Sequence, residues 1–257
     1  RSVLAIRPVW RAVDGLHVLG FAAEAVLAVT KRRTPLRGVV LTGLGLIGVS
    51  AVAGVTQVVA AIGQDGRDYD AQNVISDVVP FALFNLLPLL GAFLVLATGA
   101  FALKGGLKLR ASFVFAFLGA GMVFTGMAGN VLYHIGDAQL MGTVFEEGAW
   151  LYVMYGAVLA ALGAVVHWGP KLWGRSMPDG AVLPLAGLGF LATVLAALPL
   201  YIAGFAKQPA GAVEFDYSGP QDLWNVLTTV GHGLMILTVL AFAGLAIRSF
   251  SRGEMAG

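Results

Sequence analysis

The chain has 257 residues, of which 58% are hydrophobic and 12% charged, with a formal net charge of +2. Soluble domains carry roughly 25% charged residues, so a chain this apolar, with mean hydropathy +0.83, takes a bilayer as its solvent. The absence of cysteine excludes disulfides, thiolate metal sites and cysteine nucleophiles, and the basic residues form no nucleic-acid-like patch.

A helix needs about 20 mostly apolar residues to cross the hydrocarbon core. Seven segments qualify: 13–30, 38–62, 78–103, 111–133, 148–168, 181–205 and 223–247. They predict an all-α polytopic bundle forming a single membrane domain over residues 1–257. The first segment carries Asp14, His17 and Glu24 and spans only if its neighbours shelter it. The second contains GLGLIG, with Gly43, Gly45 and Gly48 matching the dinucleotide fingerprint GxGxxG. That fingerprint acts only after a strand and at a helix N-terminus. Inside a span it reads instead as small residues that let two helices approach. Pro80, Pro88 and Pro199 lie in or near spans, where they kink helices. Gly119, Gly121, Gly126 and Gly129 give the fourth segment a small-residue packing surface. The fifth follows TVFEEGAWLYVMYGAV, with Glu146 and Glu147 at its lip as a solvated rim and Trp150, Tyr152 and Tyr155 along it.

The loops alternate in charge. Lys31, Arg32, Arg33 and Arg37, then Lys104, Lys108 and Arg110, then Lys171 and Arg175, then Arg248 and Arg252 lie at one set of ends. Asp65, Asp68, Asp70 and Asp77, then Asp137, Glu146 and Glu147, then Glu214, Asp216 and Asp222 lie at the other. Basic loops stay cytoplasmic. The expected topology in the plasma (inner) membrane therefore has the N-terminus outside and the C-terminus in the cytoplasm. Trp10, Trp150, Trp168, Trp173 and Trp224 sit near span ends, as interfacial anchors do.

The four histidines are His17, His134, His167 and His232. His134 and His167 read as interfacial. His17 and His232 are deeper, and an ionisable residue inside a span is a candidate for function. Thr228 and Thr229, one turn before His232, are candidates to satisfy its ring. Glu24, near Lys31 and Arg32, is expected in an ion pair.

Three stretches then carry a resemblance: HWGPKLWGR, LPLYIAGFAKQP and EFDYSGPQDLWNVLTTVG. They resemble the last three helices of cytochrome c oxidase subunit I, of the haem-copper oxidase family. TVFEEGAWLYVMYGAV resembles the tenth helix of that family, NVLYHIGDAQLMGT the loop before it, and IGVSAVAGVTQVVAAIGQD the seventh helix. The resemblance implies a bundle like helices six to twelve of that subunit.

The resemblance also says where cofactor ligands belong, and this sequence departs from it there. The two haem-ligating histidines of the tenth helix match Ala149 and Leu151. The adjacent copper histidines of the seventh match Gln57 and Val58, and a proton-path lysine of the eighth matches Phe84. A His-Asp pair near a magnesium ion matches Met141 and Gly142. Two propionate-clamping arginines after Pro209 match Ala210 and Gly211. The sixth-helix copper histidine and its tyrosine fall near Trp10 and Asp14. Haem iron needs a nitrogen, sulfur or phenolate ligand, which alanine and leucine lack.

The reading that follows is a non-catalytic, subunit I-like membrane protein with no metal, haem or catalytic residue of its own. It is expected to join other membrane subunits of a terminal oxidase or related electron-transfer complex, with haem and copper in a partner chain. Lipid surrounds it, a separate chain is a candidate to supply the missing first half, and nucleic acid is no partner. If it belongs to an enzyme, that enzyme is a haem-copper terminal oxidase. Trp150, Tyr152 and Tyr155 then read as packing that fills the haem space. The alternatives are a transporter or proton-conducting bundle using His17, Glu24, His232 and Asp77, or a diverged haem protein with new ligands such as His232.

Overall fold

The structure is a computed structural model that describes residues 17–24, 36–62, 79, 81–103, 110–135, 138–211 and 220–255. Seven helices make up the described bundle. A helix over 17–24 (α1) is followed by Arg37–Ile62 (α2), and a π-helical turn at Ala82–Leu86 leads into Leu87–Leu103 (α3). Ala111–Tyr133 (α4), Phe145–Trp173 (α5), Asp179–Phe205 (α6) and Gln221–Arg252 (α7) complete it. Two-residue strands, Arg175–Ser176 (β1) and Glu254–Met255 (β2), pair antiparallel and tie the end of α7 to the α5–α6 turn.

Among the described residues, five helices are long and apolar enough to cross a membrane: Ala82–Phe101, Ala111–Tyr133, Phe145–Trp173, Asp179–Phe205 and Gln221–Arg252. α2 adds a shorter apolar stretch, Arg37–Ala53, among the described residues. Helices occupy the last six expected segments. Of the first segment, only 17–24 is described, and Trp10, Asp14 and Asp77 fall outside the described residues.

Two helix ends differ from expectation for identifiable reasons. α5 begins at Phe145 rather than 148 because Glu146 and Glu147 occupy its first turn, where carboxylates suit the positive end of the helix dipole. It runs past 168, through Pro170, and stops at Gly174 in the left-handed conformation, φ 73°, which glycine adopts without strain. The kink expected at Pro88 takes the form of the π turn before it. Pro88 has no N–H for the Phe84 carbonyl four residues back, and the ladder widens so that Leu87 N–H reaches the Ala82 carbonyl.

Glycine contacts give the topology. Gly43 of α2 lies against the Gly91 carbonyl of α3, and Gly119 and Gly126 of α4 against the carbonyls of Gly156 and Ala149 of α5. Gly148 of α5 meets Ala197 of α6, and Gly231 of α7 meets the Ala196 backbone. Each pairing runs in opposite sequence directions, so neighbours alternate up and down. Arg37, Arg110, Lys171, Arg175, Arg248 and Arg252 therefore share one end, and Glu146, Glu147 and Asp222 the other. The glycine reading of the sequence holds at Gly43, Gly119, Gly126 and Gly129, whereas Gly45, Gly48 and Gly121 meet nothing among the described residues.

α4 is the hub. Ala116, Ala120 and Val123 belong to a core shared with Val18, Leu19 and Phe21 of α1, Ile47 of α2 and Val95 of α3. Its other side places Phe115 and Met122 in a second core with Tyr152, Leu159, Val182 and Phe242.

Candidate functional site

The family resemblance places the haem ligands on α5, at Ala149 and Leu151, and the first of these lies in the α4–α5 seam. Ala149 is 2% exposed, and a Cβ added at Gly126 would stand 2.6 Å from its carbonyl oxygen. At Gly119 the same construction meets the Gly156 carbonyl at 2.6 Å. The two backbones are thus in van der Waals contact through the middle of the bundle. An imidazole at 149 would have nowhere to go, and Leu151, two residues on and so on the opposite side of α5, is half-buried against the second core. A porphyrin ligated from these positions does not fit the residues present.

Aromatic side chains fill the rest. Phe145 stacks on Tyr201 of α6 with ring centroids 4.3 Å apart and planes at 13°. Tyr152 tilts onto the same ring at 5.2 Å, and Tyr201 Oη donates to the Thr125 carbonyl at 3.3 Å. Gly129 and Gly148 make the room, since a Cβ at either would run into Tyr201. Tyr201, which the sequence does not single out, is the centre of this packing.

Tyr155 is more than packing. Its hydroxyl is hydrogen-bonded to Nδ1 of His232 on α7, and the rings meet edge to face at 5.7 Å. The threonines are not the partners of that imidazole. Thr229 Oγ1 donates to the Asn225 carbonyl at 2.8 Å, and Thr228 Oγ1 is buried with no hydrogen-bond partner among the described residues. His17 is exposed at the start of α1 and belongs to the α1–α4 side of the bundle.

His134 closes α4, with Nδ1 2.8 Å from the Asn130 carbonyl oxygen. His167 and Trp168 meet Glu24 instead: Nε2 of His167 lies 3.8 Å from Glu24 Oε1, and the Trp168 indole donates to it at 3.3 Å. Lys31 and Arg32 lie outside the described residues. A further polar link joins α3 to α4, where Asn130 Nδ2 donates to Asn85 Oδ1 at 2.7 Å. Asn85 sits in the π turn beside Phe84.

Gln57 and Val58 lie within α2, their side chains outside the described residues. Met141, Gly142, Ala210 and Gly211 belong to a clasp between the α4–α5 and α6–α7 loops. Ala210 N–H donates to the Gly142 carbonyl at 2.8 Å and Val144 N–H to that of Gln208 at 3.0 Å. Gly211 N–H donates to Glu147 at 3.3 Å. Lys207 Nζ donates to the carbonyls of Ala138, at 2.8 Å, and Gln139, at 3.0 Å. Gly142, Ala210 and Gly211 contribute backbone atoms to these hydrogen bonds, and Met141 is exposed beside them. Among the described residues, no group of three or more His, Asp or Glu side chains converges as a metal site would require.

No family model matches the sequence. Over 157 residues it is 25% identical to cytochrome c oxidase subunit 1 of Thermostichus vulcanus, covering 60% of this chain and 28% of that protein. Over 150 residues it is 29% identical to cytochrome c oxidase subunit 1 of Synechocystis sp., covering 56% of this chain and 26% of that protein. The chain thus spans about a quarter of the length of the curated relatives it matches. It is an all-α membrane bundle similar, over more than half of its own length, to subunit 1 of cytochrome c oxidase.

Proposed function

We propose that this chain is a non-catalytic, integral membrane subunit built like helices six to twelve of cytochrome c oxidase subunit I. It assembles with a terminal oxidase or a related electron-transfer complex whose haem and copper reside in another chain. The observation that carries this reading is the closed α4–α5 seam. Where the resemblance calls for an axial imidazole, Ala149 is buried against the backbone of Gly126, and alanine offers iron no ligand. The scaffold then persists for its outer surfaces, among them the side of α7 that bears Val226, Ile236, Leu240 and Ile247, each more than half exposed. The segregation of basic and acidic residues to opposite ends supports a cytoplasmic C-terminus in the plasma (inner) membrane.

The test is to tag the chain, solubilise native membranes in mild detergent and identify what co-purifies. A haem-bearing membrane chain in stoichiometric amount is the expected result. Recovery of the chain alone overturns the proposal.

The Tyr155–His232 pair favours a second reading. With Nδ1 engaged by a hydroxyl, Nε2 is the nitrogen left for a ligand, the arrangement found in metal-bound imidazoles. A haem held by His232 would show in the visible spectrum and vanish in His232→Ala.

A further inference from the structure

We infer that the rim where the head of α4 meets the end of α5 binds the headgroup of an anionic phospholipid. The seam sets the geometry. Gly163 of α5 packs on Phe115 and the Ser112 carbonyl of α4, so one turn further on His167 comes level with Arg110, the residue that precedes α4. Lys171 follows His167 by one more turn, and both Arg110 and Lys171 lie within electrostatic reach of the imidazole. Both basic side chains are exposed.

The acidic groups nearby are already engaged. Glu24 of α1, half exposed, faces His167 and accepts the Trp168 indole N–H. Asp179 of α6 accepts from the backbone N–H of Ala111 at 3.3 Å. Among the described residues, no carboxylate forms an ion pair with Arg110 or Lys171.

Beside the charges, on the outward side of α5, the surface is apolar. Ala161, Val165 and Leu172 are exposed on α5, and together with Trp168 they recur at the three- and four-residue spacing of a single helix face. Cations at the end of a span, an indole at headgroup level and an apolar stripe alongside match a phospholipid from phosphate to acyl chain. Free phosphate would satisfy only the first of these. Each basic side chain near an anionic surface contributes on the order of fivefold in affinity.

The inference does not depend on the assembly reading, because the isolated chain tests it. Native mass spectrometry of the full chain in mild detergent, with phosphatidylglycerol or phosphatidylcholine added at equal concentration, reads it out. Phosphatidylglycerol should be retained preferentially. Lys171→Gln and Arg110→Gln should each weaken that retention about fivefold without changing phosphatidylcholine binding, and Lys171→Arg should restore it. Equal retention of the two lipids overturns the inference, as does an undiminished phosphatidylglycerol preference in the double variant. Displacement of the lipid by millimolar inorganic phosphate overturns it too, since that would mark a phosphate site.

Discussion

α4 and α7 are both long apolar helices of one bundle, yet 61% of an apolar 18-residue stretch of α4 is buried against 22% for α7. The difference lies in side-chain size more than in hydropathy. Within a bilayer, lipid tails are as apolar as leucine, so helices associate through close packing and polar links rather than through escape from water. α4 presents Gly119, Gly126 and Gly129 to its neighbours, and the neighbouring backbones or the Tyr201 ring come into direct contact. α7 offers Gly231 to Ala196 and buries Met235, Thr238 and Phe242, while Ile236, Leu240 and Ile247 point away. The centre of the bundle is thus specified by the absence of side chains, and its periphery by bulky apolar ones that stay exposed.

This contrast is sharpest under substitution. Gly126→Leu forces a side chain into the Ala149 carbonyl and Val153, and overpacking of this kind should cost about 3 kcal/mol. Gly233→Leu on α7 meets nothing among the described residues and should change stability by less than about 0.5 kcal/mol. Thermal unfolding in detergent compares the two, and equal effects would remove α4 from the centre. Phe115→Ala, a fully buried ring in contact with Phe242, should cost about 2 kcal/mol. The cavity term survives in lipid although the water-transfer term does not.

Tyr155→Phe removes the hydroxyl that binds His232 and should cost about 1 kcal/mol. His232→Ala in the Tyr155→Phe background should add little, and a double-mutant cycle measures the coupling. Ile236→Ala, on the open side of α7 with 61% exposure, should fall within about 0.5 kcal/mol of the parent in the isolated chain. If instead it releases a co-purifying subunit, that side of α7 is the interface.

The helices were legible because a bilayer imposes a length and a composition that few other settings do. Gly43 against Gly91 and Gly126 against Ala149 were legible as a rule about small residues, though not as particular pairs. Gly45 and Gly48, in the same stripe, touch nothing among the described residues. Spacing says which residues share a face, and only the assembled bundle says which face meets a neighbour. The polar links lay beyond sequence reasoning for a related reason. Tyr155 and His232 are 77 residues apart, and Asn85 and Asn130 are 45 apart, with no local pattern joining either pair. Tyr201 carried no signal, because an aromatic residue in an apolar run looks the same whether it fills a cavity or faces lipid. Glu24 was legible as a residue needing a partner, and it found one in His167 and Trp168 across the bundle.

The central claim is that a seam closed by Gly126 and Ala149 leaves no place for a porphyrin. The visible absorption spectrum of the purified chain, expressed in cells supplied with haem, tests this most directly. The account predicts no Soret band above the protein baseline. A Soret band that stays with this polypeptide through purification and persists in His232→Ala would contradict it.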